Sequence, residues 1–348
     1  MLSLSISVTA FAQEDNAKEI ALGRKVAEEV EKNWERVTDP AVTARLNMIL
    51  SHFKPHLERN LPYEVRAIKD DNVPNAFSLP GGIVYFTTAM IKFAKSDAEL
   101  AGVMAHELAH AEKKHVMIQV ARNQRLSLLS LGIIVATGGQ AAALLLTNVA
   151  QVAIMNSYSR DLEEEADMIG LDFLVKAGYP PSAMVTLLER LAEEEIKRPY
   201  FDPGIYQSHP KLKDRIEYLT NAMKSKGYRL NRKEVLGVLR VEATEENGFC
   251  LLTIDGEVIM KVKGDEKTAL VLRDMAGKLD DALRLELEPY EIKLLDHEGE
   301  RYLCVGPDRI VSQDDLPPDA PSLEELRGKI LLALEKARQK HTFTNFVL

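Results

Sequence analysis

The chain is poor in cysteine and has no excess of positive charge. Its 348 residues include only two cysteines, Cys250 and Cys304, which do not form a CxxC pair. This excludes a disulfide scaffold and a cysteine-based zinc site, so any metal must be held by other ligands. Acidic residues outnumber basic residues 53 to 44, which gives a net charge of -9. Because nucleic-acid binding depends on positive charge, we expect no nucleic acid among the partners.

The rest of the composition is typical of a folded globular protein, with 46% hydrophobic and 28% charged residues. Helical spacing of apolar residues dominates up to about residue 230, and short strands are predicted near 63–68 and 83–86. After Arg232, strand-like segments alternate with Asn-Gly and Asp-Gly turns, and no tetratricopeptide-type repeat is visible. The sequence therefore predicts an α+β protein: a mainly helical domain with a small sheet over residues 13–230, then a smaller α+β accessory domain over residues 233–345.

The first twelve residues have the features of an export signal. Residues 2–12 carry no charge and end in Ala10-Phe11-Ala12, the small-x-small pattern that signal peptidases cleave. No basic residue precedes Lys18, although export signals usually start with one. We interpret residues 1–12 as a cleavable signal, which predicts a periplasmic or otherwise exported protein. A loose chain terminus is the alternative.

A second uncharged stretch runs from Leu126 to Ser159. Its length would allow a membrane span, which takes about 20 apolar residues. However, Gly138-Gly139 interrupts the stretch, and each part is too short to span comfortably. We therefore predict a helical hairpin over residues 126–156 that is buried against the core. Peripheral contact with a membrane is the alternative interpretation.

The residues that carry chemistry centre on an HExxH motif, His106 to His110. On a helix, the two histidines share one face and can bind one ion, and the glutamate lies beside them. The flanking residues are apolar, so two unpaired imidazoles would be costly to bury there. We predict one Zn²⁺ per chain, bound by His106 and His110, with Glu107 as the catalytic base.

A catalytic zinc ion needs a third protein ligand and an open position for water. The acidic segment after Ser159 offers carboxylates on another predicted helix. Glu163 and Asp167 lie one turn apart on that helix, whereas Glu165 points about 200° away from Glu163. We predict Glu163 as the third ligand and Asp167 as the acceptor of the second N–H of a zinc-bound histidine. Glu165 as the ligand is the competing assignment.

Together these motifs resemble the zinc peptidases of the HtpX and CAAX prenyl protease family. The resemblance covers roughly residues 15–225. It includes a segment before the zinc helix, residues 75–82, and a late His209-Pro210 pair followed by Arg215. The family implies that His209 stabilises the oxyanion or caps the zinc, and that Arg215 supports the ligands. An ordinary helix cap is the alternative role for His209.

The segment before the zinc helix is also expected to bind substrate. Asn75, Gly81 and Gly82, with the strand that follows them, are predicted to offer an edge on which an extended peptide adds as a strand. The form of the chain, exported and with one apolar hairpin, is similar to periplasmic family members that act in outer-membrane assembly and quality control. The sequence thus predicts a polypeptide substrate and contact with a membrane or with outer-membrane assembly.

Two functions from different classes follow from these features. The first is an exported zinc endopeptidase that hydrolyses peptide bonds of misfolded or envelope proteins. The second is a chaperone or adaptor with a structural zinc site and little proteolysis. The presence of Glu107 favours the enzyme. The two cysteines lie on predicted strands of the second domain and can pair only if those strands are neighbours.

Overall fold

The computed structural model describes residues 2–127, 130–131, 139–155, 158–197 and 212–341. They belong to two compact units, residues 1–230 and 231–348. Within the described residues, the helices of the first unit are α1 (Leu2–Asn33), α2 (Pro40–Phe53), α3 (Thr88–Phe93), α4 (Asp97–Glu112), α5 (His115–Gln124), α6 (Gly139–Ile154), α7 (Arg160–Lys176), α8 (Ser182–Lys197) and α9 (Leu212–Ser225). Its strands are β1 (Glu64–Ile68), β2 (Ala76–Leu79) and β3 (Ile83–Thr87).

The small sheet of the first unit has the order β1-β3-β2. Strand β3 runs parallel to β1, with Val65 opposite Val84, and antiparallel to β2, with Phe77 opposite Tyr85. All five residues of β3 are buried, as expected for a central strand made of β-branched and aromatic residues. The mainly helical architecture with a small sheet agrees with the predicted α+β class.

Helix α4, which carries the HExxH motif, is the central helix of this unit. Every residue from Glu99 to Ala111 is buried. Such a helix is covered on all sides and needs apolar residues around its whole circumference. Its start is stabilised by the Ser96 side chain, which accepts the N–H of Glu99 at 3.2 Å. The Glu99 carboxylate accepts the N–H of Lys95 and also pairs with Arg190, each within 2.8 Å.

Helix α1 crosses the turn between β2 and β3 at very close range. A Cβ added to Gly23 would lie 1.7 Å from the Pro80 carbonyl oxygen, and one added to Gly81 would lie 2.7 Å from the Cα of Ile20. The Gly81 N–H also donates to the Glu19 carboxylate at 3.1 Å. Glycines are therefore required on both sides of this crossing, because no side chain fits between the two backbones.

This crossing corrects part of the predicted substrate edge. Gly81 and Gly82 are buried in the β2–β3 turn with φ of +82° and +90°. The strand that follows them, β3, has hydrogen-bonded neighbours on both sides. A substrate strand therefore cannot add to β3. The edge strands of this sheet are β1 and β2. Asn75 lies immediately before β2 and is buried.

The second half of the predicted apolar hairpin is helix α6, which buries Leu145, Val149 and Val152 in the core of the first unit. Gly139, at the predicted break, starts this helix with φ of +74°. Much of the first half lies outside the described residues. Among the helices that are described, none combines the length and apolar character needed to cross a bilayer.

The second unit is built from two similar halves. Its elements are α10 (Arg232–Leu236), β4 (Val241–Glu246), β5 (Phe249–Ile254), β6 (Glu257–Lys263), α11 (Glu266–Ala282), β7 (Ile292–His297), β8 (Glu300–Val305), β9 (Asp308–Ser312) and α12 (Leu323–Lys340). Each half is an antiparallel three-stranded sheet followed by a helix. Strand starts in the two halves are offset by 51 residues throughout. The bulges after Leu252 and Leu303 keep the same offset.

The two halves share one hydrophobic core. Helix α11 packs on β4 and β5 of its own half and on β9 of the other, and α12 packs on β7 and β8 and on β6. Cys250 on β5 and Cys304 on β8 therefore belong to different sheets, and both are free and buried. The condition for pairing, neighbouring strands, is not met.

The α1 crossing generates a stability prediction. Gly23→Ala forces a methyl group into the Pro80 carbonyl, and such overpacking should lower the free energy of unfolding by about 1–3 kcal/mol. Unfolding of the first unit can be followed in urea by the fluorescence of Trp34, the only tryptophan. The control is Gly277→Ala in α11, where an added Cβ meets no atom within 4 Å. Its free energy of unfolding, measured by circular dichroism, should instead rise by about 0.5–1 kcal/mol. An unchanged Trp34 transition in Gly23→Ala would contradict the close crossing.

Candidate metal centre

Helix α4 presents its two motif histidines to one point. His106 and His110 are separated by one helical turn, and both are buried. Their Nε2 atoms lie 3.0 Å apart. Burial lowers the pKa of His110 to about 3, so this imidazole is neutral and keeps a nitrogen lone pair for an ion.

Helix α7 brings a carboxylate to the same point. The two carboxylate oxygens of Glu163 lie 3.5 Å from the Nε2 atoms of His106 and His110, respectively. Helices α7 and α4 lie so close together that a Cβ added at Gly170 of α7 would be 3.2 Å from the His106 backbone nitrogen. One nitrogen or oxygen from each of the three residues lies within 4.8 Å of the others. The structure thus brings together all three predicted metal ligands.

This donor set fits a zinc ion. Two imidazole nitrogens and one carboxylate oxygen are the protein ligands of one common class of catalytic zinc site. All three residues are buried, and the Glu163 carboxylate also lies 3.5 Å from the Arg215 guanidinium. Within the described residues, this is the group of histidine, cysteine and acidic side chains whose geometry could hold an ion.

Asp167 lies one turn after Glu163 and orients His106. Its Oδ1 is 2.8 Å from His106 Nδ1, which leaves His106 Nε2 directed at the metal position. Arg215 of α9 donates two hydrogen bonds to the same carboxylate, at 2.8 and 2.7 Å, and the Tyr218 hydroxyl donates a third. Burial opposes ionisation, but Arg215 and His106 hold the pKa of Asp167 well below its usual range. Asp167 is therefore a buried, ionised acceptor.

Glu107 lies beside the metal position without being one of the three ligands. Its side chain is 1% exposed, and its Oε2 has no hydrogen-bond partner within the described part of the chain. Burial raises the pKa of Glu107 to about 7. Glu107 and His106 line an apolar pocket together with residues of three other helices and of α4 itself. A carboxylate with a free oxygen and a pKa near neutrality is suited to proton transfer.

The remaining predicted site residues are placed as follows. Asn75 donates its side-chain N–H to the Ile154 carbonyl at 2.9 Å, which ties the start of β2 to the end of α6. Gly81 packs against α1, and Gly82 packs against Tyr63 and Leu61, so neither lies at the metal position. The prediction for His209 lies outside the described residues.

Two residues near the metal position were missed by the sequence reasoning. His115 is buried, and its Nδ1 lies 2.9 Å from His110 Nδ1. Tyr158 stacks on the His110 ring with a centroid distance of 4.0 Å. His115 follows His110 by five positions, which on a continuous helix is about 140° around the axis. The sequence feature that could have revealed it is the pair Lys113-Lys114 directly after the motif, where one helix ends and the next begins.

A buried set of two histidines and one glutamate, next to a glutamate with a free oxygen, defines a metallohydrolase-type centre. The chain belongs to peptidase family M48, whose family model matches residues 39–223. This confirms the resemblance drawn from the motifs.

The chain is similar to named members of this family. It is 27% identical to the beta-barrel assembly-enhancing protease of Yersinia pestis, covering 62% of this chain and 46% of that protein. It is 29% identical to the protein of the same name from Escherichia coli K12, covering 57% and 42%. It is 30% identical to the mitochondrial metalloendopeptidase OMA1 of Saccharomyces cerevisiae, covering 46% and 47%. The chain thus spans about half the length of the curated relatives that it matches.

The buried contact between Arg215 and Asp167 generates a prediction for stability. Arg215→Ala leaves Asp167 buried without its guanidinium partner, and breaking a buried pair in this way should cost about 3–5 kcal/mol. The matched control is Arg160→Ala, which removes an exposed pair with Asp214 at 3.3 Å and should cost less than about 1 kcal/mol. Urea unfolding followed by Trp34 fluorescence, with a chelator present to remove any metal, measures both. If the two variants lost equally little free energy of unfolding, the burial of Asp167 would not depend on Arg215.

Proposed function

We propose that the chain is a zinc-dependent endopeptidase that hydrolyses peptide bonds of misfolded or envelope proteins. The observation that carries this proposal is the position of Glu107, which has a free carboxylate oxygen beside the three-ligand group. His106, His110 and Glu163 are the proposed zinc ligands. Membership of peptidase family M48 supports the reaction class.

The proposed reaction divides into binding, proton transfer and bond cleavage. Zinc, when bound at the three ligands, polarises the scissile carbonyl and lowers the pKa of water. Glu107 accepts a proton from the attacking water and delivers it to the nitrogen of the leaving amine. The water oxygen forms a bond to the carbonyl carbon, and the carbon–nitrogen bond breaks. The pKa near 7 that burial gives Glu107 suits both proton transfers.

Three further residues are proposed to support the same reaction. Asp167 and Arg215 hold the His106 ring in position, as their mutual hydrogen bonds indicate. His209, in the His-Pro pair that precedes α9, is proposed to stabilise the oxyanion or to cap the zinc. The resemblance of this pair to the family motif supports that role.

The proposed substrate is an extended polypeptide that adds to the edge of β2 once α6, which packs on this buried strand, has moved aside. This strand ends the β1-β3-β2 sheet and directly follows Asn75. Peptides commonly bind by adding a strand to a sheet edge, because main-chain hydrogen bonds supply affinity for any sequence. Sequence preference then comes from side-chain pockets next to the cut bond.

The pocket beside the metal position is apolar. It is lined by Met90, Gly102, Val103, His106, Glu107, Met184, Leu187, Leu188, Leu191, Leu212 and Arg215. Since His106 and Glu107 belong to its wall, a side chain next to the scissile bond can enter it. We propose that the enzyme prefers a large apolar residue at that position. Apolar residues are exposed in misfolded chains, which agrees with the proposed substrate class.

The proposed location is the cell envelope, after export by the signal in residues 1–12. Relatives named beta-barrel assembly-enhancing protease support a role near outer-membrane assembly. The alternative function, an adaptor with a structural zinc site, is less well supported. Structural zinc sites are normally closed by four protein ligands, whereas the group found in the described residues has three.

Loss of the base should separate catalysis from metal binding. Glu107→Gln removes the proton acceptor and leaves the three ligands in place, so we expect at least a 100-fold loss of casein hydrolysis with one zinc still bound per chain. Glu163→Ala should lose the metal, whereas Glu164→Ala, an exposed neighbour on the same helix, should keep both metal and activity. Zinc is measured by atomic emission. Undiminished turnover in Glu107→Gln would disprove the assigned base.

Filling the apolar pocket should change the substrate preference. Val103 lies one turn before His106, and Val103→Phe would occupy the space for the substrate side chain. We expect cleavage next to Leu or Phe to fall about 10- to 200-fold relative to cleavage next to Ala, since the loss of even one methylene group from a hydrophobic pocket is worth that range. Competition between matched peptides measures the ratio. A ratio equal to that of the wild type would place the specificity pocket elsewhere.

A further inference from the structure

The two proposed histidine ligands differ in the partner of their second ring nitrogen. His106 Nδ1 faces the Asp167 carboxylate at 2.8 Å. His110 Nδ1 instead faces another imidazole, with His115 Nδ1 at 2.9 Å. A metal-bound histidine usually donates this N–H to a carboxylate, a carbonyl or water. The partner of His110 is therefore unusual and needs its own explanation.

The contact depends on a break in the helix. Lys114 has φ of +57°, so α4 ends before it and α5 begins at His115. A left-handed residue costs about 1 kcal/mol or more for a side chain such as lysine, so the surrounding packing must hold it there. The break turns His115 back toward His110, which a continuous helix could not do. His115 is completely buried as a result.

The positions of the protons follow from the geometry. If His110 Nε2 binds the metal, the proton of that ring lies on Nδ1 and is donated to His115. His115 Nδ1 must then be the acceptor, and the proton of His115 lies on its Nε2. That nitrogen lies 3.5 Å from the Glu165 carboxylate. The contact with His115 thus fixes the tautomer of His110, and Glu165 is the acidic group that faces the remaining N–H of His115.

Helix α7 supplies both ends of the arrangement. Glu163 faces the metal position, Asp167 contacts His106, and Glu165 reaches His115 from the half-exposed side of the helix. The His110 ring is also held by Tyr158, which stacks on it with the two rings inclined by 20°. With one ring face covered, the remaining freedom of His110 is the choice of tautomer and a small rotation. Those are what the His115 contact restricts.

We propose that His115, oriented by Glu165, is a positioning residue that fixes the metal-binding tautomer of His110. The proposal rests on the proposed metal centre. It gives His110 its own hydrogen-bond acceptor, His115, just as Asp167 is the acceptor for His106. His115 does not touch the substrate or the metal position. Its effect should therefore appear in metal affinity and geometry.

The test compares two substitutions at His115 in the full chain. His115→Leu fills the space without an acceptor, and we expect the zinc dissociation constant to rise 10- to 100-fold. His115→Asn can place an amide oxygen where Nδ1 was, and it should restore affinity to within about threefold of the wild type. Affinity is measured by chelator competition. The visible absorption spectrum of the Co²⁺-loaded protein should shift in His115→Leu and return in His115→Asn.

Glu165 provides an independent arm of the test. Glu165→Ala should weaken zinc binding in the wild-type background and have no further effect when combined with His115→Leu. Glu164→Ala is the control on the same helix and should have no effect in either background. The Glu165 arm and His115→Asn keep the test usable if His115→Leu fails to fold.

Two results would overturn the proposal. If His115→Leu bound zinc with wild-type affinity and an unchanged Co²⁺ spectrum, His115 would have no positioning role. If His115→Asn lost affinity as strongly as His115→Leu, the ring would act through packing and not as an acceptor. A wild-type chain that bound no zinc would instead refute the metal centre itself, and the two failures are therefore distinguishable.

Discussion

The packing of α7 against α4 depends on one buried charged group, Asp167. Its carboxylate lies between His106 and the guanidinium of Arg215, and all three side chains are removed from water. Burying charges is costly, and only close, fully hydrogen-bonded geometry offsets that cost. The distance between the two helices must therefore fall within a narrow range, and the absence of a side chain at Gly170 permits so close an approach. Other features of the site follow from this approach.

Once α7 is held against α4, a single helix supplies the acidic side of the centre. Glu163 is directed at the two imidazoles, while Asp167 and Glu165 lie near the outer nitrogens of His106 and His115. Spacing of two or four residues on one helix gives each carboxylate a different target. The geometry of the centre is therefore set by rigid secondary structure and not by loops, and this favours precise ligand positions.

The second unit shows how a sheet-and-helix module can be stabilised by duplication. Each half alone would leave one face of a three-stranded sheet uncovered, and a sheet of that size is marginal in water. The last strand of each half instead packs under the helix of the other half. The two halves thus bury one common core and should fold as one body. The 51-residue offset in strand starts and bulges indicates that both halves use the same backbone plan.

Local periodicity made much of the first unit and its site predictable from the sequence. His106 with His110, and Glu163 with Asp167, share helix faces because the α-helix repeats every 3.6 residues. The strand-like segments predicted after Arg232 are also present, among them β5 and β6, which the predicted Asp-Gly turn joins. By contrast, the strand-like character predicted directly after Arg232 does not begin until Val241, because a short helix that ends at a left-handed Gly237 comes first.

Contacts between elements were decided by the tertiary structure alone. The sequence could not tell that β2 and not β3 forms the sheet edge, or that Gly81 is needed for the α1 crossing. Nor could it place Cys250 and Cys304 on separate sheets, or return His115 to His110 through the break at Lys114. Periodicity is a property of one backbone segment, so the sequence alone determined which side chains share a face. Which faces meet depends on the packing of distant segments, and only the folded chain determines that.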